Sequence, residues 1–115
     1  MTARDPERHL PLPNLSYFVL LALGEGAAHG WVIIKRIREL TEQTANPSSG
    51  SLYLAMARLQ DDGLIAESPA PAGEDARRRH YKLTPLGRAV VRAESARLAR
   101  LVNHARSLGL LPEAG

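Results

Sequence analysis

The chain has 115 residues, 44% hydrophobic, 23% charged and only 4% aromatic, a composition that excludes wholesale disorder and fits one compact domain with an aliphatic core. Fifteen Lys and Arg against twelve Asp and Glu leave a formal charge of +3, compatible with a polyanionic partner without demanding one. Cysteine is absent, which excludes disulfides, thiolate metal sites and cysteine nucleophiles, and the longest apolar run, Tyr17 to Leu23, is far too short to span a bilayer.

The first residues carry mixed charges and no hydrophobic stretch leading to a cleavage site, so no secretion signal is expected and the cytoplasm is the expected compartment. Residues 1–13, with Pro6, Pro11 and Pro13, read as a flexible, extended arm. Asn14 stands where an N-cap belongs. Leu15, Phe18, Val19, Ala22 and Leu23 then recur at helical spacing until Gly24 and Gly26 stop the helix. Tyr17, Leu20 and Leu21 form a second apolar stripe, so this helix is either central to the core or shared with a second subunit.

A second helix is expected from Trp31 to Glu42, with Ile33, Ile37 and Leu40 inward and Lys35, Arg36, Arg38 and Glu39 toward water. Asn46-Pro47 breaks the chain, and Ser48 or Ser49 caps a third helix from Gly50 to Asp62, whose apolar stripe is Leu52, Ala55, Met56 and Leu59. Gly63 ends it in the left-handed region. Leu64 to Ser68 and Arg79 to Thr84 read as a β-hairpin, with Tyr81 and Leu83 inward and Arg77-Arg78-Arg79 flanking a tip at residues 69–76. As strand residues, the three arginines would alternate faces. Thr84-Pro85 starts a last helix that reaches Leu108. Val91, Leu98, Leu101, Ala105 and Leu108 continue along it as a near-heptad stripe, more than a small domain can cover.

This order predicts a mainly α fold with a small β-hairpin (α+β): a winged helix-turn-helix over residues 14–84, a dimerisation helix over 85–108 and a tail over 109–115. A major groove admits one α-helix, and a hairpin with guanidinium groups at its edge can follow phosphates or enter the minor groove. Ser48, Ser49 and Ser51 allow close backbone approach at a helix N-terminus, where an anion is favoured. Arg58 lies off the apolar stripe and is available for the same contact. Lys35 reads equally as a surface residue or a phosphate clamp.

Four stretches resemble the PadR family of bacterial transcriptional regulators. They are Leu20-Leu21-Ala22-Leu23 to His29-Gly30-Trp31, Ser48-Ser49-Gly50-Ser51-Leu52-Tyr53, Leu59 to Ile65, and Arg77-Arg78-Arg79-His80-Tyr81-Lys82-Leu83-Thr84-Pro85-Leu86-Gly87. The resemblance covers about residues 15 to 90. Trp31 replaces a tyrosine usual after His-Gly, Ser49 and Ser51 stand where proline and threonine are common, and Leu86 holds a position often acidic. The short C-terminus is similar to the small-subfamily layout, with one dimerising helix.

The resemblance implies a homodimeric repressor of bacterial promoters, nucleoid-associated when bound to a pseudo-palindromic operator. It also implies a small apolar or aromatic effector bound between subunits. Tyr53 is either a core tyrosine with its hydroxyl at the rim or, as the resemblance favours, a phosphate contact, and Trp31 either roofs the core or stacks on the effector. The candidate DNA contacts are therefore Lys35, Ser48, Ser49, Ser51, Tyr53, Arg58, Arg77, Arg78, Arg79 and His80. The candidate dimer contacts are Tyr17, Leu20, Leu21, Val91, Leu98, Leu101, Ala105 and Leu108. The alternative is a winged-helix module that binds another protein and no specific DNA. An enzyme is not expected, since Ser49-Gly50-Ser51 is no nucleophile elbow and no phosphate-cradling loop is present. No cofactor is expected. The four histidines, His9, His29, His80 and His104, fall on different elements, so no metal site is expected either.

Overall fold

Apolar stripes from four helices meet in one core, closed on one side by a three-stranded sheet. The computed structural model describes residues 5–112. A 3-10 helix (Pro6–His9) is followed by α1 (Asn14–Gly24), β1 (Ala28–His29), α2 (Gly30–Leu40), α3 (Ser49–Asp61), β2 (Ile65–Ser68), β3 (His80–Leu83) and α4 (Pro85–Ser107). The sheet order is β1-β3-β2, antiparallel throughout. The mainly α, winged-helix architecture is as the sequence predicts.

Val19, Leu20, Ala22 and Leu23 of α1 are buried against Ile33 and Ile37 of α2, Leu52, Met56 and Leu59 of α3, and Val90 and Val91 of α4. Two caps set the helix starts. Ser48 Oγ accepts the Ser51 N–H at 3.1 Å, and Thr84 Oγ1 accepts the Gly87 N–H at 2.9 Å while its hydroxyl donates to the Gly63 carbonyl at 2.6 Å. Gly87 is required by packing: a Cβ there would stand 1.9 Å from the Leu64 carbonyl oxygen. Gly63 takes φ +78° after α3, as expected of its position.

Several expectations are corrected. The N-terminal segment is not an extended arm over its described part: Asp5 caps the 3-10 helix, and Leu10 and Leu12 pack on the core. Residues 1–4 of that arm and 113–115 of the tail lie outside the described residues. The residue at the N-cap of α1 is Pro13, and Asn14 is already helical. Strand β1 was not expected, because two residues carry no readable alternation. Leu40 is 37% exposed, since α2 ends there and the chain turns through Glu42 and Gln43 at positive φ. Arg36 does not simply face water. Its guanidinium donates to the carbonyls of Ala22, in the last turn of α1, and Gly26, just beyond it, at 3.0 and 2.7 Å.

The second apolar stripe of α1 is taken up by its own domain at Leu20 and left half-buried at Tyr17 and Leu21. Leu20 is fully buried and Val91 is 9% exposed, so neither is free to meet a second subunit. Tyr17 is half-buried against α4, with its hydroxyl 2.7 Å from Ser95 Oγ.

Candidate nucleic-acid interface

Recognition by a winged helix needs one exposed helix face and a charged hairpin beside it. On α3 the stripe Leu52, Met56 and Leu59 is consumed by the core, which leaves Ser49, Ser51, Tyr53, Leu54, Ala57 and Arg58 exposed. These divide by helical spacing. Ser49 and Tyr53, one turn apart, share a cleft of about 470 Å³ with Trp31, Arg78 and Arg79. Ser51, Leu54 and Arg58 share a different cleft of about 460 Å³, bounded by Arg8 and His9 of the 3-10 helix and by Leu15 and Ser16 of α1. The Lys35 side chain lines a third, with Trp31 and Ile34. Seven of the ten expected DNA residues are thus spread over three clefts, and Ser48, Arg77 and His80 line none of them.

Tyr53 is 52% exposed, so it does not roof the core. Its ring lies against the start of α2: a Cβ on Gly30 would meet the Tyr53 hydroxyl at 2.8 Å. Trp31 is 63% exposed and does not roof the core either. Its ring stacks near His29, with centroids 6.5 Å apart, and the Lys35 ammonium lies 5.9 Å from its centroid.

The wing arginines do not alternate along a strand, because β3 begins only at His80. Arg77 and Arg78 occupy a turn organised by Asp75, whose carboxylate accepts the Arg77 backbone N–H at 2.9 Å and its Nε–H at 3.1 Å. Arg78 Nε is 3.8 Å from the same carboxylate, and Arg79 Nε is 3.7 Å from Glu67 across the hairpin. The hydrogen bonds from Arg77, side chain first and backbone second, hold the Asp75 carboxyl below its ordinary range. All three arginines remain exposed, and surface pairs of this kind are weak enough to exchange for phosphates.

His80 is a correction. It is 2% exposed, so it cannot touch DNA. Its imidazole is covered where β1 pairs with β3, and Nδ1 engages the Arg78 carbonyl at 2.8 Å. The β1–β3 register sets His80 opposite His29, with rings 5.2 Å apart in an edge-to-face arrangement. Burial, then the charges of Arg78 and His80, hold the His29 imidazole below its ordinary pKa. One ring nitrogen of each and a Glu74 carboxylate oxygen lie within 4.8 Å of one another. The four histidines do fall on different elements, as expected, but the pairing of β1 with β3 brings two of them together.

Sequence reasoning also missed Glu94. It is 1% exposed on α4, and its carboxylate accepts the Leu12 N–H at 2.8 Å and both Nε–H and an Nη–H of Arg97. The Arg97 hydrogen bond is the largest cause that holds its carboxyl below the ordinary range, against the opposing effect of burial. A glutamate at this spacing was the available signal, lying on the inward face with Val90 and Val91.

Beyond that point α4 leaves the core. Leu98 and Ala105 are half-buried, and Leu101, Val102, Leu108, Leu110 and Leu111 are exposed large apolar side chains. Among the described residues no helix is long and apolar enough to cross a membrane.

Comparison with known proteins places these features in context. The profile of the Transcriptional regulator PadR-like family matches residues 19–93. An uncharacterized 37.1 kDa protein in transposon TN4556 of Streptomyces fradiae is 39% identical over 83 residues, which make up 72% of this chain and 22% of that protein. The chain thus spans about a fifth of the length of this relative. A transcriptional regulator from Clostridium thermocellum is 32% identical, with a TM-score of 0.62 over 78% of this chain and 86% of that one. A PadR family transcription regulator from Clostridium difficile shares the fold at 20% identity, with a TM-score of 0.70 over 84% of this chain and 98% of that one.

Proposed function

Because the chain belongs to the PadR-like family of transcriptional regulators, we propose that it binds double-stranded DNA as a homodimer and represses transcription from a pseudo-palindromic operator. The observation that carries this reading is the shared cleft in which Ser49 and Tyr53 of α3 face Arg78 and Arg79 of the wing. A helix N-terminus, a tyrosine hydroxyl and two guanidinium groups are a phosphate-binding set. With phosphates engaged there, the outward face of α3 around Leu54, Ala57 and Arg58 is left to read bases.

The exposed apolar end of α4 supports dimerisation. Leu101, Val102 and Leu108, with Leu110 and Leu111 beyond the helix, are left exposed by the described residues of their own domain. Of the sequence-derived contacts, Leu98, Leu101, Ala105 and Leu108 belong to this surface, and half-buried Tyr17 and Leu21 could flank it. Pairing there fixes the separation of two α3 helices, which selects half-sites about one helical turn, or a multiple, apart. An apolar or aromatic effector would relieve repression by favouring a dimer form with the wrong separation. Trp31 supports a second route: a ligand stacked on it would fill the cleft that holds Tyr53 and Arg78.

Fluorescence anisotropy with DNA from upstream of its own gene, against a scrambled duplex of equal length, tests the reading. Tighter binding of the upstream duplex by two chains per site is the expected result. Equal affinity for both at moderate salt would favour the protein-interaction module instead.

A further inference from the structure

His29 and His80 hold two of the described buried side-chain nitrogens without a hydrogen-bond partner, His29 Nδ1 and His80 Nε2. Unsatisfied buried polar atoms cost free energy and call for an explanation. Both residues are more than nine-tenths buried, and both are fixed by the backbone, since they are direct partners in the β1–β3 register. The tautomer of His80 is set as well. A carbonyl oxygen can only accept, so Nδ1 donates to the Arg78 carbonyl and Nε2 carries the free lone pair. This is the outer hydrogen bond found behind most ligating histidines. The third member, Glu74, is exposed at the wing tip and brings a carboxylate oxygen within 4.8 Å of both imidazoles.

We infer that His29, Glu74 and His80 form a binding site for a divalent transition-metal ion of the zinc type. Two neutral imidazoles and one carboxylate are a borderline-soft donor set that suits such an ion and disfavours magnesium or calcium. Ligand atoms around a tetrahedral ion stand roughly 3.4 Å apart, and those of the three residues already lie within 4.8 Å of one another, so closure needs side-chain movements of about an ångström. The fourth position stays open to water. Binding pins the wing tip to β1. It also restrains the turn that follows, because Asp75 adjoins Glu74 and holds Arg77 and Arg78. The site does not depend on the DNA reading, and metal binding is measurable without DNA.

Cobalt titration of the chain, free of any affinity tag, should produce the visible bands of tetrahedral Co2+. One equivalent of Zn2+ per chain should displace them, and Mg2+ should not. Glu74→Gln, at an exposed position, should weaken Zn2+ binding by about tenfold or more, and His29→Gln should do the same. His104→Gln should leave it unchanged. Zn2+ should slow amide hydrogen exchange at Arg77–Arg79 in the natural chain and not in Glu74→Gln. Absence of the cobalt bands, or equal Zn2+ affinity in natural chain and Glu74→Gln, would overturn the proposal.

Discussion

Glu94, midway along α4, accepts the backbone N–H of Leu12 at 2.8 Å, across 82 residues of sequence. This contact fastens the N-terminal segment to the last helix, and Arg97 completes it from the solvent side. The folded carboxyl lies below the value of the unfolded chain. Its stabilisation is therefore complete above the ordinary glutamate range and is lost as pH falls through the depressed value. Glu94→Gln should lower stability at neutral pH by about 1–3 kcal/mol. Denaturant melts at a series of pH values should also show a flatter acid limb in the variant, and an unchanged limb would contradict this account.

Gly87 has no room for a side chain, with the Leu64 carbonyl where its Cβ would go. That neighbour is backbone and cannot rotate away. Gly87→Ala should cost about 3 kcal/mol, although alanine is the better helix former. Thermal unfolding followed by circular dichroism would read this directly. A variant as stable as the natural chain would mean that α4 can shift at little cost.

Ser51 is the third helical residue after the Ser48 cap. Ser51→Glu would complete a capping box with Ser48, so stability should hold or rise slightly. The new carboxylate would nonetheless repel phosphates at the start of α3, and operator affinity should fall by at least about tenfold. Anisotropy and a thermal melt on one sample separate the two effects. Wild-type affinity in a folded variant would place DNA on another surface.

The helices and the caps of α3 and α4 are legible because 3.6-residue periodicity, Ser48, Thr84-Pro85 and Gly63 are local signals, whereas Asn14 misplaces the cap of α1 by one residue. Placing the stripes was harder. Leu20 and Val91 looked like interface residues because a sequence shows that a helix has two apolar faces, not which elements cover them. His80 was misread beside three arginines because its inward turn depends on β1, a strand of two residues. Glu94 was passed over because its partners, Leu12 and Arg97, could be assigned only once the N-terminal segment was seen to pack on α4.

For the wing, each phosphate neutralised contributes close to −0.9 to the slope of log affinity against log salt. If two arginines per subunit meet phosphates, replacing Arg77, Arg78 and Arg79 together by Ala should flatten that slope by roughly 3 to 4 units in a dimer. Operator and non-operator DNA should weaken alike, since phosphates carry no sequence. Filter binding at several salt concentrations gives both slopes. A slope unchanged on both duplexes would reduce the arginines to partners of Asp75 and Glu67.

Leu101 is 56% exposed and far along α4 from the core. Leu101→Glu should therefore leave the domain's unfolding nearly unchanged while placing a charge in the proposed dimer seam. A loss of roughly 2 kcal/mol or more in association is expected, about thirtyfold in dissociation constant. Sedimentation equilibrium would detect it, and an unaltered dimer would exclude this face as the seam.

The departure of α4 from its domain also makes it a lever. Its fulcrum is the close contact of Gly87 with Leu64, and its restraints include Glu94 on Leu12 and Tyr17 on Ser95. From Gly87 to Ser107, the end of α4, the arm extends about 30 Å at 1.5 Å per residue, so a tilt of about ten degrees at the fulcrum moves the far end by about 5 Å. A displacement too small to disturb the packed end would thus be magnified at the end where a partner would sit. The stiffness of the Glu94–Leu12 and Tyr17–Ser95 contacts, with Val90 and Val91 in the core, then decides how freely the arm swings.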